Sequence, residues 1–337
     1  MSLSYFEAIV VGGLQGITEL FPVSSLGHSV ILPALIGGRW ARDLDVSAPE
    51  SPYLAFIVGL HVATAVALLV FFWRDWIKII GGFFTMLVHR RVRTDAERLA
   101  ALIVLATIPV GIAGLALEHT FRTVLGRPMP AAAFLFANGL VLLIGERLRR
   151  AALPAAGTSG PGTAAAGART TALQRVSVAA GSQPLDGPGS TGAADDTGGG
   201  AAADLRSDSR IARLPLRRGV LIGCVQILAL LPGISRSGAT MVAGLTQGLS
   251  HRDAARFAFL LATPVILAAG VLKVPDLFGP LGAGIGGQIA AGSVAAFVCA
   301  YLAVRFLERY FRTRTLTPFA IYCLIAGAAS FVVLALR

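Results

Sequence analysis

The stretch that decides the fold is GGLQGITELFPVSSLGH at residues 12–28, because a related stretch, GCVQILALLPGISRSGA, occurs at residues 223–239. A shift of 211 positions aligns several residues of the two copies: Gly12 with Gly223, Gln15 with Gln226, Ser24 with Ser235 and Gly27 with Gly238. Carboxylate, imidazole, hydroxyl and guanidinium groups are costly to bury in apolar sequence. The polar residues of both copies are therefore candidates for a functional site.

The sequence around the two copies is that of an integral membrane protein. It contains 55% hydrophobic and 14% charged residues, and its mean hydropathy is +0.73, whereas soluble domains carry about 25% charged residues. A helix that crosses a bilayer needs about 20 apolar residues. The sequence predicts an all-α membrane protein with about six crossings, at residues 53–73, 99–117, 130–144, 254–272, 285–306 and 317–336.

The basic residues give the orientation of these crossings. Arginine and lysine concentrate at residues 74–98, 146–218 and 305–314, and the positive-inside rule places such loops in the cytoplasm. The formal charge of +11 does not indicate a nucleic-acid partner, because no basic patch is interleaved with aromatic residues. We expect these basic residues to lie at the surface of the lipid bilayer, which is the predicted partner of the protein.

With those three loops inside, each copy of the motif must return to the side from which it entered. We therefore predict two re-entrant helical hairpins, at residues 4–37 and 216–248, interrupted by Pro22 and by Pro232 with Gly233. The hairpins enter from opposite sides, which is typical of an inverted-topology repeat with a site near the membrane midplane.

The repeats divide the chain into three parts. The first repeat covers residues 1–150 and the second covers 213–337. Residues 151–212 are rich in Ala, Gly, Ser, Thr and Pro, a composition that buries too little apolar surface to fold. We predict a disordered cytoplasmic linker there.

The first copy carries reactive groups. Gln15 and Glu19 lie four residues apart and share one face of a helix. Ser24 has the character of a helix N-cap, whereas Ser25 and His28 follow the turn. A carboxylate that orients an imidazole, which in turn activates a hydroxyl, is the arrangement of a nucleophilic site.

The second copy carries donors. Arg236 suits the oxygens of a phosphate, and the start of a helix adds backbone N–H groups. Hydroxyls and a glycine surround it, at Ser235, Ser237, Gly238 and Thr240. The alternative is that Arg236 forms an ion pair with Glu19 and only holds the two repeats together. For His61, a bond to a neighbouring helix and a supporting role in the site remain equal alternatives.

With these residues assembled, the chain resembles the undecaprenyl-diphosphate phosphatase family, the bacitracin-resistance type of integral membrane phosphatase. Gln15 and Glu19 resemble its (E/Q)xxxE motif, residues 21–28 its PVSSxGH segment, and residues 231–240 its PGxSRSGAT segment. Weaker similarity extends the resemblance over both repeats and leaves only the linker outside.

The resemblance implies removal of the terminal phosphate of undecaprenyl diphosphate, which recycles the lipid carrier of cell-wall synthesis in the bacterial plasma membrane. It implies a divalent cation, Mg²⁺ or Ca²⁺, with Glu19 as a ligand, and it leaves a homodimer open. Ser25 would be the nucleophile or the hydroxyl that positions water, His28 the base or acid, Glu19 its orienting partner and Arg236 the clamp. The implied substrate-binding residues are Gln15, Ser24, Ser235, Ser237, Gly238, Thr240 and His61.

Two residues depart from the family pattern, and two alternatives follow. Gln15 stands where many members have a second glutamate, and Leu26 replaces a small hydroxyl residue. A divergent paralogue that acts on another isoprenyl or lipid phosphate is one alternative. A polyprenyl-phosphate flippase is the other, since transporters also use inverted repeats. The cluster of Glu19, Ser25 and His28 favours hydrolysis, because a flippase needs no nucleophile.

Overall fold

The computed structural model describes residues 3–44, 52–120, 126–152, 196–279 and 284–337, and every regular element in these ranges is helical. The helices are α1 Tyr5–Leu20, α2 Ser25–Ile36, α3 Gly38–Asp43, α4 Pro52–Phe71, α5 Trp73–His89, α6 Asp95–Thr120, α7 Pro128–Ala152, α8 Asp196–Ala212, α9 Leu216–Val225, α10 Arg236–Thr246, α11 His251–Phe278, α12 Gly286–Tyr310 and α13 Thr317–Ala335. A 3₁₀ turn, Gln226–Leu230, continues α9.

Among the described residues, five helices are long and apolar enough to cross a membrane, namely α6, α7, α11, α12 and α13. A sixth candidate is the pair α4 and α5, which meet at an angle of 87°. These elements coincide with the six predicted crossings. The prediction of an all-α, multi-pass membrane protein is therefore confirmed.

The helix α5 corrects the prediction that residues 74–98 are a loop. Its apolar side chains Ile77, Ile80, Phe84 and Leu87 are exposed and recur at a spacing of three or four, so they form one face of the helix. Because α5 runs nearly perpendicular to α4, this face suits the membrane interface. Sequence reasoning missed the helix because the basic residues of the segment, four of which follow α5 at Arg90, Arg91, Arg93 and Arg98, indicated a loop.

Both copies of the repeated motif form a helical hairpin, close to the predicted bounds. In the first, α1 and α2 are joined across Pro22; in the second, α9 with its 3₁₀ turn is joined to α10 across Pro232 and Gly233. The re-entrant placement of the hairpins and the opposite orientation of the two halves stay predictions.

The first helix of each hairpin packs on a helix from the other half of the chain, α1 on α12 and α9 on α6. The aligned glycines stand at these contacts. A Cβ on Gly12 would lie 2.2 Å from the carbonyl oxygen of Gly292, and a Cβ on Gly223 would lie 2.1 Å from that of Ala106. Only glycine permits backbones to approach this closely, as in small-residue packing of membrane helices. These contacts bring the turns of the two hairpins together.

The predicted linker is partly wrong, because residues 196–212 form α8. Arg210 of α8 pairs with Asp253 at 2.7 Å, and Asp208 pairs with Arg256 at 2.7 Å. Arg256 is 1% exposed and also reaches Asp75 at 2.9 Å. These ion pairs, together with the buried side chain of Ile211, hold α8 against its neighbours, and composition alone does not reveal such contacts. Residues 153–195 of the predicted linker lie outside the described residues.

The glycine contacts generate a prediction about stability. We expect Gly223→Ala to lower the midpoint of thermal unfolding in detergent, because the new Cβ meets backbone atoms that cannot move without separating α9 from α6. Overpacking of this kind costs about 1–3 kcal/mol.

Gly111→Ala on α6 is the matched control, since a Cβ there meets nothing within 4 Å. It should leave the midpoint unchanged or raise it slightly, because alanine is the better helix former. Equal midpoints for the two variants would contradict the packing argument.

Candidate active site

Glu19 lies at the centre of the polar cluster, and its side chain is 8% exposed. Its Oε1 accepts a hydrogen bond from Arg236 at 2.6 Å. Its Oε2 accepts one from Gln15 Nε2 at 3.1 Å and one from the Ser25 hydroxyl. Glu19 lies in the last turn of α1, Ser25 begins α2 and Arg236 begins α10, so three helix termini deliver these groups to one point.

The ion pair between Arg236 and Glu19, which the sequence left as an alternative, is therefore formed. A further bond runs from Arg236 to the carbonyl oxygen of Ala262 at 3.2 Å. The guanidinium thus joins the second hairpin to α1 and α11. These two hydrogen bonds fix the planar guanidinium of Arg236. Ser25 bonds to the other oxygen of the same carboxylate, so the guanidinium lies beside Ser25, where it can also contact a phosphate.

His61 on α4 belongs to this cluster. Its Nε2 lies 3.1 Å from Gln15 Nε2 and 3.5 Å from Glu19 Oε2, while Nδ1 lies 2.9 Å from the carbonyl oxygen of Ile57. Because a carbonyl only accepts, Nδ1 carries a proton. In the neutral ring, Nε2 then accepts from Gln15. The bond to a neighbouring helix, one of the two alternatives for His61, is thus formed with α1, and because Gln15 also bonds Glu19 it places His61 beside the site; a supporting role there stays a prediction.

His28 lies elsewhere. Its Nδ1 is 2.7 Å from the carbonyl oxygen of Ser24, its Nε2 is 2.7 Å from the Tyr322 hydroxyl, and the His28 and Tyr322 rings are nearly parallel. Within the described part of the chain, Glu19 and Ser25 are not among its hydrogen-bond partners. The predicted contacts of His28 with those two residues are wrong, because the bond to Ser24 one helical turn earlier directs the ring towards α13.

The hydroxyls of the second copy bind the backbone. Ser235 Oγ accepts from Gly238 N at 3.1 Å, as an N-cap, and Ser237 Oγ donates to the Phe21 carbonyl at 3.1 Å. Thr240 Oγ1 donates to the Arg236 carbonyl at 2.7 Å. In this conformation they shape the turn, and their contact with phosphate stays a prediction. The first turn of α10 still offers backbone N–H groups that have no partner within the helix.

Ser24 connects the two turns. Its Oγ accepts from Gly27 N and from Gly233 N, both at 3.2 Å, and its φ of 70° lies in the left-handed region. Such a backbone costs about 1–3 kcal/mol in a residue other than glycine and persists where its surroundings hold it. The N-cap role predicted for Ser24 is confirmed, and the conformation turns Ser25 towards Glu19.

Asn138 on α7 is a site residue that sequence reasoning missed. It is fully buried; its Nδ2 donates to the Pro22 carbonyl and its Oδ1 accepts from Ser235 N, both at 3.0 Å. One amide thus fixes both turns. A single asparagine inside the apolar segment 130–144 was the available signal, because polar residues in membrane helices mark functional positions.

Gln226, the counterpart of Gln15, behaves differently from it. It is 1% exposed and its amide has no hydrogen-bond partner among the described residues. Position 230, four residues on, holds Leu230 in place of a glutamate. The second copy therefore keeps the amide of the first but has lost its carboxylate partner.

The side chains of the polar cluster could hold a divalent cation only together with the phosphates of a substrate. Glu19, Gln15 and Ser25 offer the oxygen ligands that Mg²⁺ and Ca²⁺ take. The described residues contain no group of three or more His, Cys, Asp and Glu side chains placed as metal ligands, and Arg236 already occupies one oxygen of Glu19. Glu19, Gln15 and Ser25 thus suit a cation that takes its remaining ligands from the phosphates of the substrate.

Comparison with known proteins agrees with the motifs. A family model described as bacitracin resistance protein BacA matches residues 8–180 and 193–329, which include α8 and part of the predicted linker. The chain is 65% identical over 335 residues to undecaprenyl-diphosphatase of Mycolicibacterium paratuberculosis, with 99% of both chains covered. It is 56% identical over 360 residues to undecaprenyl-diphosphatase 1 of Frankia casuarinae and 40% identical over 333 residues to undecaprenyl-diphosphatase of Acidiphilium cryptum, with 97% of each chain covered in both pairs. The chain therefore belongs to the BacA family of bacitracin resistance proteins.

Proposed function

We propose that this chain is a phosphatase of the bacterial plasma membrane that hydrolyses undecaprenyl diphosphate to undecaprenyl phosphate and inorganic phosphate. The observation that carries the proposal is the convergence of Arg236 and Ser25 on the two oxygens of Glu19. These contacts join the three groups that the reaction needs. Arg236 is the cation that binds the phosphate, Ser25 has the hydroxyl that attacks it, and Glu19 is the carboxylate that accepts the hydroxyl proton. The undecaprenyl-diphosphatases that cover almost the whole chain support the same substrate.

Binding begins with an exchange of partners at Arg236. The guanidinium releases Oε1 of Glu19 and donates its forked N–H groups to the terminal phosphate, a geometry that arginine suits well. The N-terminus of α10 adds N–H groups and a positive dipole end. The exchange leaves Glu19 with a free oxygen and a negative charge beside Ser25.

The reaction proceeds through Ser25. Its Oγ attacks the terminal phosphorus while Glu19 takes the hydroxyl proton; the bond to the bridging oxygen breaks, and that oxygen takes the proton from Glu19 as undecaprenyl phosphate leaves. Glu19 then takes a proton from the water that attacks the phosphoserine and passes it to the departing serine oxygen, which gives inorganic phosphate and restores the serine hydroxyl. Positioning and charge stabilisation dominate such phosphoryl transfers, and Arg236 supplies both.

Two histidines support these steps in different ways. His61 accepts a hydrogen bond from Gln15 Nε2 and so orients the amide, which also donates to Oε2 of Glu19 and stabilises the carboxylate. His28 positions the turn, because its bond to the Ser24 carbonyl helps to hold the left-handed backbone that precedes Ser25. A Mg²⁺ or Ca²⁺ ion bound by the side-chain oxygens of Glu19, Gln15 and Ser25 and by the diphosphate would neutralise phosphate charge.

A flippase for polyprenyl phosphates is the second candidate. It would use Arg236 for binding but has no need of a serine hydroxyl that donates to a buried carboxylate. The bond between Ser25 and Glu19 therefore favours hydrolysis.

The catalytic assignment predicts the behaviour of Ser25→Ala, Glu19→Gln and Arg236→Lys. Each should lower phosphate release from undecaprenyl diphosphate by about 100-fold or more, since loss of one charge-stabilising donor alone has an effect of this order. Arg236→Lys keeps the charge but loses the fork. The measurement is phosphate release by purified protein with Mg²⁺ or Ca²⁺.

Ser293→Ala on α12 is the control for a serine outside the cluster and should keep the wild-type rate. A wild-type protein that releases no phosphate under these conditions would refute the phosphatase proposal. Full activity of Ser25→Ala would refute the role of Ser25.

The roles of His61 and His28 can be distinguished by measuring both kcat and the midpoint of thermal unfolding of their alanine variants. We expect His61→Ala to reduce kcat by about 100-fold with little change in the unfolding midpoint, because loss of the bond to Gln15 lets the Glu19 carboxylate shift and a misplacement of about 1 Å has an effect of this order. We expect His28→Ala to lower both the midpoint and the rate, because the turn before Ser25 loosens.

Tyr322→Phe tests the same idea, since it keeps the ring but removes the hydroxyl bonded to His28. Its midpoint should fall in the direction of His28→Ala. If His28→Ala abolished activity with an unchanged midpoint, His28 would act on the substrate directly and the positioning role would be wrong.

A further inference from the structure

The helix α5 has three sides, of which one packs against the protein and two are exposed. We propose that the two exposed sides bind anionic phospholipids: an apolar side contacts the acyl chains, and a basic side binds the phosphates of the head groups. This surface lies outside the polar cluster around Glu19, so its role does not depend on the proposed function.

The packed side fixes how α5 is turned about its axis. Ile79 and Gly82 are buried, and a Cβ on Gly82 would lie 2.7 Å from the backbone carbonyl carbon of Ala96, at the start of α6. Near the other end of α5, Asp75 pairs with the buried Arg256 of α11 at 2.9 Å. These contacts hold α5 in one orientation, which determines where its remaining side chains point.

The first exposed side is apolar. Its residues recur at a spacing of three or four and therefore form one stripe along the helix. Each of them is about half exposed or more, namely Trp73, Ile77, Ile80, Phe84, Leu87 and Val88. A tryptophan in such a stripe is typical of the membrane interface, and a helix of this kind inserts its apolar side at the boundary between head groups and acyl chains.

The second exposed side is basic. Arg74 and Lys78 lie four residues apart and therefore share this side, next to the apolar stripe. Three more arginines follow directly after the helix, at Arg90, Arg91 and Arg93. All five side chains are exposed, and none of them forms an ion pair within the ranges that the structure describes. The five cations are thus available to a partner outside the protein.

The charge of the segment favours an anionic lipid over a zwitterionic one. Residues 73–98 hold six Lys and Arg side chains and three carboxylates. Asp75 is paired with Arg256 and Glu97 accepts hydrogen bonds from backbone N–H groups, so Asp95 is the carboxylate left to offset the cations. A zwitterionic head group brings its own cation to the phosphate, whereas an anionic head group does not. Clusters of basic residues beside a membrane bind anionic lipids for this reason.

The apolar stripe decides between an anionic lipid and a soluble anion. Free phosphate or a nucleic acid could contact Arg74 and Lys78 but would leave the stripe in contact with water. A phospholipid covers both sides at once, because its phosphate and its acyl chains are joined in one molecule. The two exposed sides together therefore fit a lipid.

The test uses Trp73 as a reporter, because it lies in the apolar stripe and its ring centre is 5.2 Å from the guanidinium of Arg74. The chain has three tryptophans, and Trp40→Phe with Trp76→Phe leaves Trp73 as the reporter. This full-length protein is placed in vesicles of phosphatidylcholine and phosphatidylglycerol, with bromine on the chains of one lipid or the other. At equal lipid fractions, brominated phosphatidylglycerol should quench the fluorescence of Trp73 more strongly.

In the same background, Arg74→Gln and Lys78→Gln should each lower the preference for phosphatidylglycerol about fivefold, since one cation near an anionic surface has an effect of this order. Arg127→Gln is the matched control and should leave the preference unchanged. Arg127 is also exposed, but it lies just before α7, past the end of α6 that is remote from Gly82. Substitutions of exposed side chains change stability little, so the variants should stay folded.

Two results would overturn the proposal. One is equal quenching of Trp73 by the two lipids, and the other is a preference that neither Arg74→Gln nor Lys78→Gln changes. A second measurement compares bromine near the head-group end of the acyl chain with bromine near its methyl end. The first should quench Trp73 more strongly, and the opposite order would place α5 in the bilayer core and refute the interfacial site.

Discussion

The ion pair between Glu19 and Arg236 is the interaction on which the rest of the structure depends. Both side chains are largely buried, and each would be expensive to keep in an apolar surrounding without the other. Their pairing requires the end of α1 and the start of α10 to meet, although 217 positions separate the two residues. A substrate phosphate is the kind of group that can replace a carboxylate beside the arginine. The same contact therefore holds the two turns together and is the one that a substrate phosphate would exchange in the proposed reaction.

The meeting of the two turns is prepared by backbone packing. Gly12 and Gly223 bring the first helix of each hairpin against a helix of the other half, and Asn138 and Ser24 then bond to both turns. Each half thus supplies the surface on which the hairpin of the other half rests. Glu19, Ser25 and Arg236 meet at these turns and are held in place by several independent contacts. Such a site is preorganised, because its groups are already in position before the reaction begins.

Much of this arrangement was predictable from sequence, and the failures share a physical cause. The duplicated motif, with its prolines and glycines, indicated two hairpins whose turns meet, and hence the convergence of Glu19, Ser25 and Arg236. The direction of a single ring was not predictable: His28 bonds back to Ser24 and turns away, while His61 arrives from another helix. The helix α8 was missed because it is held by residues far along the chain, among them the ion-pair partners Asp253 and Arg256. Periodicity and composition report local preferences, whereas these features depend on residues far along the chain.

The docking of α8 also changes how the covalent link between the halves should be regarded. Arg210, Asp208 and the buried Arg256 attach the end of the connecting segment to α11, and Asp75 extends the attachment to the corner between α4 and α5. Together with the crossed packing of the hairpins, these contacts join the two halves through described residues that lie far apart along the chain. The halves are therefore linked non-covalently as well as covalently, and a chain cut between residues 153 and 195 would keep every residue whose described contacts assemble the site.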